Sequence, residues 1–229
     1  LSAVQEDLRK DLLKTMSRIA KIGYHGVELA GALDYLPGQL RHCLEGSGLA
    51  CACAHVSCAE LELNLEDTLT FHQRLGNRLL IVSELPWDRL DTPQAWRNLA
   101  EQFNAWSDKL AWMEMQVGLH LPERGSPGLP GGSRFWAAFL EQARPDVVLQ
   151  VDAARAQEAG MDPVALMRAN PARCRSLHLA ANGQEPDSRV AEACREIQPD
   201  WVIADLAGQP GPTWDAVEKN FRFILDKFL

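Results

Sequence analysis

The feature that most limits what this chain can fold into is a regular alternation between short apolar runs and longer amphipathic stretches. Seven strand-like runs recur: "HGVELA" (25–30), "LACACAHV" (49–56), "RLLIVSE" (78–84), "MQVGLHL" (115–121), "DVVLQVD" (146–152), "RSLHL" (175–179) and "WVIAD" (201–205). Several are apolar throughout, as strands covered on both faces of a parallel sheet must be. Helical patterns separate them. "VQEDLRKDLLKTMSRIAKIG" spaces Leu8, Leu12, Met16 and Ile19 at three- and four-residue intervals before a stop at Gly23, and "PGQLRHCLEGSG" opens on proline and closes on glycine. This beat predicts an α/β fold built on a parallel sheet.

The count is seven strands and eight helices, because the first helix begins near residue 5 with no strand before it. It fits a (β/α)8 TIM barrel whose first strand is truncated or missing, formed as a single domain over residues 1–229. The start at Leu1 rather than methionine leads us to expect that the natural sequence begins earlier. A doubly wound open sheet would place a glycine-rich phosphate loop after an early strand, and no GxGxxG occurs. The densest glycine and proline segment, "PERGSPGLPGGS" (122–133), follows a strand, where a barrel places its active-site loops; it reads as a lid or as an idle insertion.

The net charge of -8, with no run of like charges, argues against a nucleic-acid partner and for a small molecule. Cys43, Cys51, Cys53, Cys58, Cys174 and Cys194 show neither CxxC nor zinc-finger spacing and read as reduced thiols. No apolar run approaches twenty residues and no basic-then-apolar leader is present, so no membrane partner is expected and the cytoplasm is the expected compartment. The sequence leaves the oligomeric state open.

Ionisable residues fall near the C-terminal ends of the apolar runs: Glu28, His55, Glu84, His120, Asp152, His178 and Asp205. In a parallel barrel those ends meet at one rim. Burying so many ionisable groups together costs several kcal/mol per uncompensated charge, which a divalent cation would relieve. His120, Asp152, His178 and Asp205 form a mixed nitrogen and oxygen set suited to manganese, zinc, cobalt or iron. Each member also has a plainer reading. His178 alone is more often a hydrogen-bonded core histidine, and Asp152 can cap the helix begun by "DAARAQEAG". In "CACAHVSC" the cysteines read as small interior residues, with only His55 reaching the rim; His25, His42 and His72 read as surface or packing residues.

At these residues the chain resembles the xylose isomerase-like barrels, a group that includes sugar phosphate isomerases and epimerases. "LSAVQEDLRKDLLKTMSRIAKIGYHGVELAG" is similar to that family's first strand end, first helix and second strand, and "VLQVDAARAQEAGMDPVALM" and "CRSLHL" to its sixth and seventh strands. The resemblance implies a metal held by acidic residues on family strands 5, 6 and 8 and a histidine on strand 7. Asp152 and His178 match; Asp205 and His120 stand where glutamates are usual, and Ala180-Ala181 replaces a common Lys-Asp pair. It also implies carbohydrate metabolism: an isomerase or epimerase moving a proton next to a carbonyl, with His120 and Asp205 as proton carriers. Glu28, His55 and Glu84 would bind hydroxyls of a small sugar, sugar phosphate or polyol, and Trp87 would cover an apolar sugar face or simply pack at the rim. The alternatives are a barrel that binds a metabolite without catalysis, and a lyase or hydrolase on the same fold.

Overall fold

Seven parallel strands pair in chain order into one sheet: β1 (Gly26–Ala30), β2 (Ala50–Ser57), β3 (Leu79–Glu84), β4 (Gln116–Leu121), β5 (Val148–Asp152), β6 (Cys174–Ala180) and β7 (Trp201–Asp205). The computed structural model describes residues 1, 4–31, 35–121, 133–180, 187–206 and 213–228. All seven strands lie where the apolar runs predict them, and the sheet is a nearly closed barrel. Among the described residues no strand precedes β1, and β7 and β1 do not pair with each other. A cavity of about 340 Å³ lies between them, lined by Gly26, Val27, Val202, Ala204 and Phe221 among others, and Leu1 N donates to the Glu28 carbonyl beside it at 2.6 Å.

The helices wrap the outside: α1 (Gln5–Lys10), α2 (Leu12–Ile22), α3 (Pro37–Ser47), α4 (Cys58–Leu63), α5 (Leu65–Leu75), α6 (Pro93–Ala111), α7 (Ser133–Gln142), α8 (Ala153–Glu158), α9 (Pro163–Ala169), α10 (Ser188–Ile197) and α11 (Trp214–Phe228). The expected single helix before β1 is two. Asp11 sits in extended backbone and its carboxylate accepts from Lys14 N at 3.0 Å, so a capping interaction breaks the run while Leu8, Leu12, Met16 and Ile19 still share one buried face. Apart from Ser133, the glycine- and proline-dense segment lies outside the described residues, and so does Ala181.

Alternation along the strands divides the core. Leu80, Val82, Val117, Leu119 and Leu149 face the helices, whereas Cys53, Leu79, Ile81 and Val148 cluster inside the barrel with Ile203 against them. Gly118 belongs to that inner layer: a Cβ there would meet Ile81 Cδ1 at 2.8 Å and the Val148 carbonyl oxygen at 2.9 Å. At the seam the Trp201 ring occupies the space that a side chain at Gly26 would need.

Two stability tests follow from this packing. Gly118→Val destabilises by about 1–3 kcal/mol in urea unfolding, because the Val148 carbonyl oxygen and Cβ at 2.9 Å cannot move aside even where the Ile81 side chain can. Gly46→Ala, on the open face of α3, stabilises by about 0.4–1 kcal/mol instead. A further test concerns His72, which is buried against α5's end with Asn77 Nδ2 at 3.3 Å from its Nδ1; burial pushes its pKa down to about 4. The unfolded chain therefore binds the proton more tightly. Stability from this group is complete above about pH 6.5 and falls by roughly 2–3 kcal/mol as the pH drops toward 4, a slope that His72→Gln removes from the pH–stability profile.

Candidate functional site

Above the apolar layer the inward positions turn polar. Glu28 from β1, Cys53 and His55 from β2, His120 from β4, Gln150 and Asp152 from β5, Ser176 and His178 from β6, and Asp205 from β7 close the C-terminal end of the barrel. Parallel pairing sets Glu28 beside Cys53, His120 beside Gln150, and Asp152 beside His178.

The centre of the cluster is Glu28 Oε2. It accepts from His178 Nε2 at 2.9 Å, Gln150 Nε2 at 2.7 Å and Cys53 Sγ at 3.1 Å, with His55 Nε2 at 3.2 Å. Gln150 is fully buried and joins the two halves: its Oε1 accepts from His55 Nε2 at 2.8 Å and His120 Nδ1 at 2.7 Å, and its Nε2 also donates to Ser176 Oγ at 2.9 Å. An amide oxygen can only accept, so both imidazoles must present N–H there.

Electrostatics follow from this wiring. Burial works to raise the Glu28 pKa, but the His178 and His55 rings beside it, by charge and hydrogen bond, hold it well below the usual carboxylate range. For His178 burial works downward, and the Glu28 carboxylate with Asp205 and Asp152 raises it. His120 is pushed down to about 3, chiefly by burial and then by the charges of His178 and His55, so its ring is neutral. Burial raises the Asp152 carboxyl, against the Arg155 backbone N–H that it accepts.

The four residues expected to share one ion form two overlapping groups. Asp152, His178 and Asp205 have ligand atoms all within 4.8 Å of one another, and so do His55, His120 and His178, but the expected quartet does not make one group. His120 faces His55 across the barrel, with ring centroids 5.2 Å apart, instead of joining the carboxylates. Asp152 does cap α8, through Oδ1 to Arg155 N at 2.9 Å, which fixes the carboxylate and leaves its other oxygen for the site. His178 Nε2 is taken by Glu28, and its buried Nδ1 has no partner among the described residues, which is what a ligand nitrogen looks like without its ion. Asp152, His178 and Asp205 therefore fit a divalent cation.

Glu28 and His55 are in the cluster, the first buried and the second half-buried, as hydrogen-bonding groups wired to each other. Glu84 is not. It ends β3 exposed, two residues on from Val82 and thus on the face opposite Ile81. Trp87 lies in a 3-10 turn over residues 87–89 and packs at a tilt against Trp96, with centroids 6.0 Å apart, so it sits on the outer core at the rim. Gln150, Ser176 and the Cys53 thiol were missed by sequence reasoning. Their signal was the period of two: each lies two positions before a singled-out residue on its own strand, Asp152, His178 and His55.

No protein-family model matches the chain, and no curated relative does. Solved structures do match. A sugar phosphate isomerase/epimerase from Parabacteroides distasonis superposes with TM-score 0.80 at 18% identity, covering 97% of this chain and 95% of that one. A D-psicose 3-epimerase from Clostridium cellulolyticum gives 0.72 at 14%, covering 94% and 92%. An AP endonuclease, family 2, from Brucella melitensis gives 0.70 at 17%, covering 95% and 93%. The fold is thus that of the xylose isomerase-like barrels, and that fold carries more than one chemistry.

Glu28→Gln tests the wiring. Without the carboxylate, burial is opposed only by Asp205 and Asp152, so the His178 pKa, followed by imidazole NMR, falls. Gln150→Leu leaves Glu28, His55 and His120 each short of a partner and costs about 2–4 kcal/mol in unfolding free energy.

Proposed function

We propose that this chain is a metal-assisted isomerase or epimerase acting on a small sugar, sugar phosphate or polyol by moving a proton on the carbon next to a carbonyl. The observation that carries this reading is the convergence of Asp152, His178 and Asp205 at the barrel mouth, with one buried imidazole nitrogen lacking a partner among the described residues. The likeness in fold to sugar phosphate isomerase/epimerase and D-psicose 3-epimerase structures supports it.

These three residues would hold the ion, which supplies a Lewis acid that draws charge onto the substrate's carbonyl oxygen. The chain's own residues do the rest. Asp205, on the final strand and less buried than Asp152, is placed to take the proton from the neighbouring carbon and to return it. His120 has its Nδ1–H committed to Gln150 Oε1 and is a weak base, with a pKa near 3, so it gives up any proton it receives almost at once. Its other ring nitrogen serves better as an acceptor that orients a substrate hydroxyl. Glu28 and Gln150 hold the His55 and His178 rings in place beneath the substrate.

A small-molecule substrate agrees with the net charge of -8. Among the described residues no helix is long and apolar enough to cross a membrane. All six cysteines are free thiols, and burial raises the Cys51 pKa to about 12, which suits a reducing cytoplasm.

The test is deuterium uptake from solvent into the carbon beside the carbonyl of small ketoses, measured with manganese present. Asp205→Asn lowers the exchange rate at least about a hundredfold, and His178→Ala abolishes stoichiometric manganese binding. Exchange that is absent with every ketose tried, in a protein that binds no manganese, leaves a metabolite-binding barrel as the better reading.

A further inference from the structure

We propose that His55, His120 and His178, completed by Glu28, form a second cation site, selective for a zinc-class ion, and that it competes with the Asp152–Asp205 position for His178. It stands on observations separate from the catalytic reading, and of the ion-holding residues proposed there it shares only His178.

The three imidazoles come from β2, β4 and β6, and their ligand atoms lie within 4.8 Å of one another. Their ring centroids are 5.0 Å, 5.2 Å and 5.7 Å apart. Zinc–nitrogen bonds of about 2.0–2.1 Å in a tetrahedron set nitrogens about 3.3 Å apart, so each ring nitrogen needs to move by less than about 1 Å. Glu28 Oε2 already lies 2.9 Å from His178 Nε2 and 3.2 Å from His55 Nε2, the place of a fourth ligand. In the metal-free protein protons hold these groups together. An ion on the three rings would take over that role, with Gln150 Oε1 turning from bond acceptor to neighbour.

Ligand chemistry separates the two positions. Three imidazoles and one carboxylate favour zinc or cobalt, whereas two carboxylates and one imidazole favour manganese or magnesium. A neutral imidazole has a single lone pair, so His178 serves one position at a time. With Nε2 committed to the three-histidine position, its Nδ1–H, unpartnered among the described residues, is left for Asp152 and Asp205, whose ligand oxygens lie within 4.8 Å of a His178 ring nitrogen. That is the carboxylate–histidine–metal arrangement that orients a ligating ring. Zinc and manganese then exclude each other while occupying different places.

Cobalt(II) titrated into the purified chain tests this through its visible spectrum. The expected result is the intense bands of four-coordinate cobalt, lost with at least about tenfold weaker binding in His55→Gln and in His120→Gln, and kept in Asp205→Asn. Manganese, followed by electron paramagnetic resonance, shows the converse: weakened by Asp205→Asn, retained in His55→Gln, and displaced from the wild-type chain by one equivalent of zinc. Thermal melts identify which of the two histidine variants is folded, and either one suffices. Cobalt bands that persist in a folded histidine variant, or that vanish in Asp205→Asn, overturn the proposal, as does a weak six-coordinate spectrum in the wild type. Failure of the wild type to bind manganese sinks the catalytic reading and the competition for His178, and leaves the three-histidine site to stand or fall on the cobalt result.

Discussion

A single buried carboxylate organises the working end of this barrel. Glu28 is 9% exposed, and an unpaired charge at that depth would cost several kcal/mol. The chain meets this cost by converging on it: imidazoles from β2 and β6, an amide from β5 and a thiol from β2 all point at one oxygen. Each partner is thereby held in one rotamer. The neutral His120, the raised pKa of His178 and the acceptor role of the Gln150 amide oxygen are consequences of that one placement.

The polar floor works because of what lies beneath and beside it. Cys53, Leu79, Ile81 and Val148 fill the barrel below, and Gly118 lets its strand approach Ile81 and Val148 closely. This dry layer keeps water from competing for the hydrogen bonds above it. The seam between β7 and β1 is different: the sheet is unpaired there, and Glu28, His178 and Asp205 border its cavity as well as the mouth. One side of the site is therefore set by strand pairing and the other by side chains such as Trp201.

Much of the fold was legible because parallel strands buried on both faces leave unbroken apolar runs, and all seven stand where those runs lie. The helix before β1 was read as one because Leu8, Leu12, Met16 and Ile19 keep their spacing across the Asp11 break; a cap alters backbone direction without altering the apolar pattern. The site was legible in part. Polar residues at strand ends flagged Glu28, His55, His120, Asp152, His178 and Asp205, which do gather. Glu84 carried the same flag and points away, since strand parity near an end depends on register, and β2 and β3 shift register between Val56 and Ser57. Gln150 carried no flag, because a neutral amide in an apolar run looks like an interruption until its partners are known.

The sequence by itself determined the alternation of strand and helix, hence the parallel barrel and the rim to which its ionisable groups belong, because hydrophobic period and turn chemistry act locally. Only the tertiary structure decided which of those groups share an oxygen or a cation. The six clustered residues of that rim are up to 177 positions apart, from Glu28 to Asp205, and their grouping depends on the stagger between strands and on which ring nitrogen each neighbour occupies. Those are distances of a few ångströms, set by packing across the whole barrel, and no local pattern in the chain encodes them.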